Sequence, residues 1–257
     1  MRTSNGSKVV RELDTWLGLG RRAYARASCE QEFATECDHR GLSGSRTIGA
    51  KDCRLHGCST WRPAATGAPV HPISIPDSEK LWGEGFNFHI LSVGTLKAQK
   101  DHATLIRAFA LLPESLSAKL IILGEGQLRG ELEDLIRELG LQDKVHLPGF
   151  MIDPSPWFRS ADLFVLSSGY EGFGNVIVEA LECGVPVVST DCPSGPAEIL
   201  DHGRIGKLVP IRDQESLSRA MTASYFEEHD RRVLMDRAKD FSIERISVQY
   251  LDYFWSE

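Results

Sequence analysis

No stretch of this 257-residue chain holds the roughly 18 consecutive apolar residues that a membrane-spanning helix needs. The opening run MRTSNGSKVVRELDTW lacks the apolar core of a secretory signal, so a cytoplasmic location is the expectation. Positive charge is in deficit. The 29 Lys and Arg against 36 Asp and Glu leave a net charge of −7, which argues against a surface that coats nucleic acid. Three nucleotide-handling signatures are also missing. Without a Gly-x4-Gly-Lys-Ser/Thr loop, P-loop nucleotide hydrolysis is disfavoured. Without Gly-x-Gly-x-x-Gly after a first strand, a dinucleotide dehydrogenase is disfavoured too. There is no Asp-x-Asp pair to seat a metal on a diphosphate, so neither metal nor cofactor is expected. Positive side chains and helix dipoles would then stabilise such a leaving group.

Cysteines are few and unevenly placed. Of six, Cys29, Cys37, Cys53 and Cys58 crowd into one short stretch, and Cys183 and Cys192 lie far downstream. A disulfide framework is not expected without a secretory signal. The crowded stretch belongs to a segment, residues 21–76, with neither helical nor strand period and few branched apolar residues. Such a segment buries little surface, and a loop that long is unusual inside a compact domain. A zinc module using these cysteines with His39 and His56 is disfavoured, because neither cysteine pair has the tight two-residue spacing. A natural disordered linker is a second reading. The composition best fits a third, a stretch read out of frame between two in-frame pieces. Residues 1–20 read as a turn and helix ahead of it.

From about His89 onward, strands and helices alternate. The apolar runs HILSV (89–93), KLIIL (119–123), KVHL (144–147), DLFVL (162–166), VPVVS (185–189) and GKLVP (206–210) suit buried parallel strands. Between the first two, Asp101 can cap a helix whose apolar face is Leu105, Ile106, Phe109 and Leu112. After the second, Leu128, Leu132, Leu135, Ile136 and Leu139 form another such face, ended by Gly140. The tail reads as three helices, DQESLSRAMTASYF, RRVLMDRAKDF and SIERISVQYLDYFW. This pattern predicts an α/β domain over 77–257 with a Rossmann-like, doubly wound parallel sheet and right-handed crossovers.

In such a sheet, ligands bind beyond the carboxyl ends of the strands. There SVGTLKAQKD offers Gly94 for a sharp turn, with Lys97 and Lys100 just ahead of a helix N-terminus that favours an anion. LGEGQLRGEL offers Gly124 and Gly126, which serve a plain strand–helix turn equally well. In SSGYEGFGNVIVEAL, Gly172 and Gly174 keep side chains off the helix start and open the amides of Phe173, Gly174 and Asn175 to a phosphate. Glu171, an acceptor outside this cradle, suits hydroxyl groups. Glu179 could hold a diol such as a ribose, or face solvent like Glu182, and period does not choose between these. STDCPSGPAEIL, with Ser194, Gly195 and Glu198, adds a fourth wall. Together these loops have the profile of a nucleotide-sugar site.

Residues 86–254 resemble the C-terminal, donor-binding half of a family-4 (group 1) glycosyltransferase of the GT-B fold. The likeness is carried by ILSVGTLKAQKDHATLIRAFALL, LIILGEGQLRGELEDLIRELGLQDKVHLPGF, ADLFVLSSGYEGFGNVIVEALECGVPVVSTDCPSGPAEIL and GKLVP. SNGSKVVREL near the N-terminus is similar to the segment where the family's interdomain linker begins. Glu171 and Glu179 match the Glu-x7-Glu signature. The resemblance implies retaining transfer of a hexose from a nucleoside diphosphate sugar, with UDP- or GDP-sugar as donor and no metal. It implies that Glu171 meets sugar hydroxyls, Glu179 the ribose and Lys100 the diphosphate, with Glu171 and Lys100 the catalytic pair. Gly94, Thr95, Lys97, Gly124, Phe173, Gly174 and Asn175 complete the donor site. Thr95 stands where the family often has an arginine, and an ammonium at Lys97 does not replace a guanidinium fork.

The family's N-terminal acceptor-binding domain has no counterpart in this chain, so the expectation is a glycosyltransferase reduced to its donor half. It would be completed by a separate acceptor-domain chain, through which peripheral membrane association could also arise. A nucleotide-sugar binding module or inactive fragment without turnover, and a nucleotide-sugar epimerase of the same fold, are the alternatives.

Overall fold

The computed structural model describes residues 75–255. The readings of residues 1–20, and the zinc, linker and out-of-frame readings of 21–76, lie outside the described residues. Six strands form one parallel sheet: β1 (Phe88–Val93), β2 (Ala118–Leu123), β3 (Val145–Gly149), β4 (Leu163–Leu166), β5 (Val187–Thr190) and β6 (Lys207–Val209). Their spatial order is β3-β2-β1-β4-β5-β6 and every neighbouring pair is parallel. Each apolar run expected to be a strand is one, with ends moved by at most two residues. The chain steps outward from β1 to β3, then returns to the other side of β1 as β4. The β1/β4 boundary is therefore the topological switch point, where such sheets open a crevice.

The helices are α1 (Ile75–Trp82), α2 (His102–Ala110), α3 (Arg129–Glu138), α4 (Ser155–Ser160), α5 (Asn175–Glu182), α6 (Pro196–Ile199), α7 (Gln214–Phe226), α8 (Arg231–Lys239) and α9 (Ile243–Trp255). Successive strand residues point to opposite faces, and both faces are covered. Ile90, Leu120 and Ile122 pack with Leu105, Ile106, Leu132, Ile136 and Met221 of α2, α3 and α7. Their neighbours Leu91, Ile121 and Leu123 pack with Trp82, Phe158, Ile177, Leu181 and Leu234 of α1, α4, α5 and α8. This two-sided burial is why the strand sequences run apolar without alternation.

Local signals act as expected at several ends. Asp101 caps α2, its side chain accepting from the Thr104 amide at 3.3 Å. Gly140, at φ 67°, follows the end of α3. The structure differs from the sequence reading in three places. Leu139, expected on the apolar face, is 36% exposed because α3 stops at Glu138 and the chain turns away. Helix α4, within SPWFRS, was not foreseen; six residues are too few to show a period. Residues 75 and 76, expected to be irregular, open helix α1. Helix α1 is anchored by Trp82, whose Nε1 donates to Ser160 Oγ at 2.9 Å and whose ring stacks on His89 at 4.9 Å. Among the described residues, no helix is long and apolar enough to cross a membrane.

Candidate functional site

The loops after β1 and β4 meet at the switch point and are bonded to each other. The Gly169 amide donates to Gln99 O at 2.8 Å, and Gln99 Nε2 donates to Tyr170 O at 2.8 Å. Ser167 Oγ donates to Lys100 O at 2.8 Å. Across this junction Lys100 Nζ donates to Glu171 Oε1 at 2.8 Å, with the two side chains only 15% and 7% exposed. Ser168 Oγ donates to the same Oε1 at 2.5 Å. Glu171 Oε2 has no hydrogen-bond partner among the described residues and is not among the buried unpaired polar atoms, so the pair keeps one acceptor open to an incoming group. Gly94 leaves room for this arrangement: a Cβ there would lie 3.2 Å from Lys100 Cδ.

Three residues beyond Glu171, the chain turns into α5 through Gly174, at φ 96°, and no side chain caps the helix. Among the described residues, the amides of Phe173, Gly174 and Asn175 make no hydrogen bond. The loop after β5 supports this turn from below. At Gly195, φ 78°, a Cβ would stand 1.7 Å from Phe173 O, so only glycine lets the two loops touch. The amide groups and the helix dipole make this turn suited to an anion.

The other sequence candidates divide. Thr95 is exposed and Lys97 half-buried in the same loop as Lys100. Gly124 has a packing reason of its own, since a Cβ at its φ of 150° would lie 2.0 Å from Gly94 O. It lets the β1 and β2 loops come together. Gly126 approaches Leu96 in the same way, its Cβ position lying 2.4 Å from Leu96 O.

Electrostatics single out Glu179. Burial, with Glu182 adding repulsion, pushes its carboxyl up to about 7, and burial also raises Glu182. Both are half-buried, so neither is the fully solvated helix glutamate that period alone allowed. His102, at the start of α2, is 3% exposed. Burial and then the Lys100 charge lower it to about 3, keeping the imidazole neutral beside the lysine. The buried Cys192 thiol, in the loop after β5, is raised by burial and next by Glu171, which places it at the same junction.

Sequence reasoning missed the residues that hold the junction around the pair, Gln99, Ser167, Ser168 and Thr190, and the nearby Cys192. Ser167 and Ser168 are 1% and 0% exposed, and Thr190 Oγ1 donates to Ser168 O at 2.6 Å. The signal was two serines directly after a buried apolar strand. Buried hydroxyls must find partners, and the nearest unmatched polar groups were Lys100 and Glu171.

A doubly wound parallel sheet with interlocked β1 and β4 loops defines a Rossmann-like α/β domain, and comparison places it more closely. The family model for glycosyl transferases group 1 matches residues 81–241, and the chain belongs to that family. It is 41% identical over 150 residues to the N-acetylgalactosamine-N,N'-diacetylbacillosaminyl-diphospho-undecaprenol 4-alpha-N-acetylgalactosaminyltransferase of Campylobacter jejuni, covering 58% of this chain and 40% of that one. It is 35% identical over 173 residues to a lipopolysaccharide core biosynthesis glycosyltransferase of Rhizobium meliloti, covering 65% and 50%. The chain thus spans about half the length of the curated relatives it matches. Among solved structures, Anabaena HepE in complex with UDP superposes with a TM-score of 0.63 at 27% identity, over 72% of this chain and 54% of that one. The apo lipopolysaccharide outer core galactosyltransferase WaaB shares the fold, with a TM-score of 0.61 at 22% identity over 67% and 50%.

Proposed function

We propose that the crevice binds a nucleoside diphosphate sugar and serves retaining transfer of its hexose. The observation that carries this is the run of unengaged amides at Phe173–Asn175, two residues beyond a buried Lys100–Glu171 pair. The amides and Lys100 take the diphosphate. When Lys100 turns to the phosphates, Glu171 is released to accept from sugar hydroxyls through both oxygens. Glu179 takes the ribose diol. In transfer, the bond between the anomeric carbon and the phosphate oxygen breaks and its electron pair leaves on the diphosphate. The acceptor oxygen forms the new bond on the same face and gives up its proton to the departing diphosphate oxygen. Amide dipoles and the ammonium stabilise the charge that develops on the leaving group. UDP bound to HepE, which shares the fold at 27% identity, supports a uridine donor. Acceptor binding lies outside this crevice, and a chain carrying an acceptor domain is the partner this reading calls for.

The test is thermal melting of the chain with UDP, GDP and their sugars. A ligand at about a hundred times its dissociation constant adds about 2.7 kcal/mol. Stabilisation by one nucleotide, lost in Glu179→Ala and Lys100→Ala, is the expected result. A chain that melts cooperatively and shifts with none of them refutes the donor site.

A further inference from the structure

We infer that Arg237 and Phe241 are positioning residues that clamp the Phe173–Asn175 turn in the form its amides need. The functional consequence rests on the donor-site reading, whereas the clamp itself is tested without it. Arg237 lies on α8 and Phe241 just past its end, more than 60 positions from the turn in sequence, yet Phe241 touches Phe173 and Arg237 is linked to the turn through α6 and Phe241. Arg237 Nε donates to Ile199 O at 2.9 Å and Nη2 to Glu198 O at 2.6 Å. These are carbonyls in the last turn of α6, where the helix gives Ile199 O no backbone donor of its own. Nη1 donates to Asp240 Oδ2 at 2.7 Å, fixing the guanidinium plane.

That plane lies over the Phe241 ring, 4.7 Å from its centroid. The Phe241 ring in turn meets the Phe173 ring edge-on, at 5.4 Å and 64°. The two contacts close on one spot. Helix α6 follows Gly195, which touches Phe173 O, and Ile199 Cδ1 comes within 3.7 Å of the Cβ position of Gly174. The guanidinium therefore holds one side of the turn through α6 and the other through Phe241. A lysine cannot do this: one ammonium cannot bridge two carbonyls and a carboxylate while lying flat on a ring.

The experiment compares wild type, Arg237→Lys, Phe241→Ala and Phe241→Tyr by amide hydrogen exchange and by UDP titration. The Ile177 and Ile199 amides, bonded to Gly174 O and Gly195 O, report the turn, and Leu120 of β2 reports the core. In Arg237→Lys and Phe241→Ala, Ile177 and Ile199 are expected to exchange about tenfold faster, with Leu120 unchanged and Phe241→Tyr like wild type. If the turn is then competent about a tenth of the time, the dissociation constant for UDP rises about tenfold. Unchanged Ile177 and Ile199 exchange in the folded variants overturns the clamp. So does equal acceleration of Leu120, which marks a general loss of stability. A wild type that binds no UDP while its turn amides respond as expected sinks the donor reading and leaves the clamp standing.

Discussion

Glu179→Gln should make the protein more stable and its nucleotide binding weaker, and the size of the first effect follows from the structure. Burial raises the Glu179 carboxyl from 4.5 to about 7. At 1.36 kcal/mol per unit, ionising it in the folded chain costs on the order of 3 kcal/mol more than in the unfolded chain. Below pH 4.5 both states hold the proton and the glutamate carries no penalty. As pH rises from 4.5 to 7 the unfolded chain releases its proton and the folded chain does not, so wild-type stability falls across that window. Above the folded-state value the penalty is constant.

His102, lowered to about 3, contributes the opposite slope: the unfolded chain gains a proton as pH falls below 6.5 and the folded chain resists until about 3. That slope is common to both proteins and cancels in their difference. Melting curves of wild type and Glu179→Gln should therefore coincide near pH 4.5 and separate by about 3 kcal/mol at about pH 8. For a domain this size the gap is roughly 6–12 °C. Glutamine has one acceptor oxygen in place of two, so UDP should bind the stabilised variant less tightly than wild type. Equal stability gaps at both pH values would refute the desolvated carboxyl. A stabilised variant with wild-type UDP affinity would refute its role in holding the ribose.

Three other outcomes follow from the same geometry. Lys100→Met leaves the 7% exposed Glu171 carboxylate without its cation. It should cost about 3–5 kcal/mol in denaturant unfolding, and adding Glu171→Gln should restore most of it, since removing both charges removes the unpaired one. Ser168→Ala removes a donor from Glu171 Oε1 and should lower stability by about 1–3 kcal/mol, checked in the same assay. Gly195→Ala puts a methyl group where Phe173 O stands, at a φ of 78°. It should cost about 2–4 kcal/mol and weaken UDP binding, whereas Gly172→Ala, where a Cβ meets nothing within 4 Å, should not destabilise by overpacking.

How much of this was legible in the sequence depended on range. The strands were legible because both faces of the sheet are covered. KLIIL has no polar residue after its lysine, and nothing but a two-sided core asks for that. The glycine turn at 172–174 was legible because its chemistry is local: a helix start without side chains exposes its own amides. Helix α4 was not, because six residues fix no period, nor was the exposure of Leu139, which a turn decided after the apolar pattern had run out.

The site's long-range bonds were harder. Lys100 and Glu171 lie 71 positions apart, and spacing cannot say that they touch. The family resemblance named both as catalytic, yet it assigned them to different parts of a ligand and implied no bond between them. The pair follows only once the strand order sets β1 beside β4, since that adjacency brings the ends of two distant strands within a hydrogen bond. The same holds for Arg237 and Phe241, whose reach depends on where α8 packs against the sheet face. In an unliganded crevice an ion pair of this kind has a clear physical use. On the proposed donor reading, a lysine kept for a diphosphate and a carboxylate kept for hydroxyls would each be stranded in a site only 15% and 7% open to water. Pairing them keeps both charges satisfied until an anion competes for the lysine, and on that reading binding the diphosphate would also free the carboxylate for the sugar.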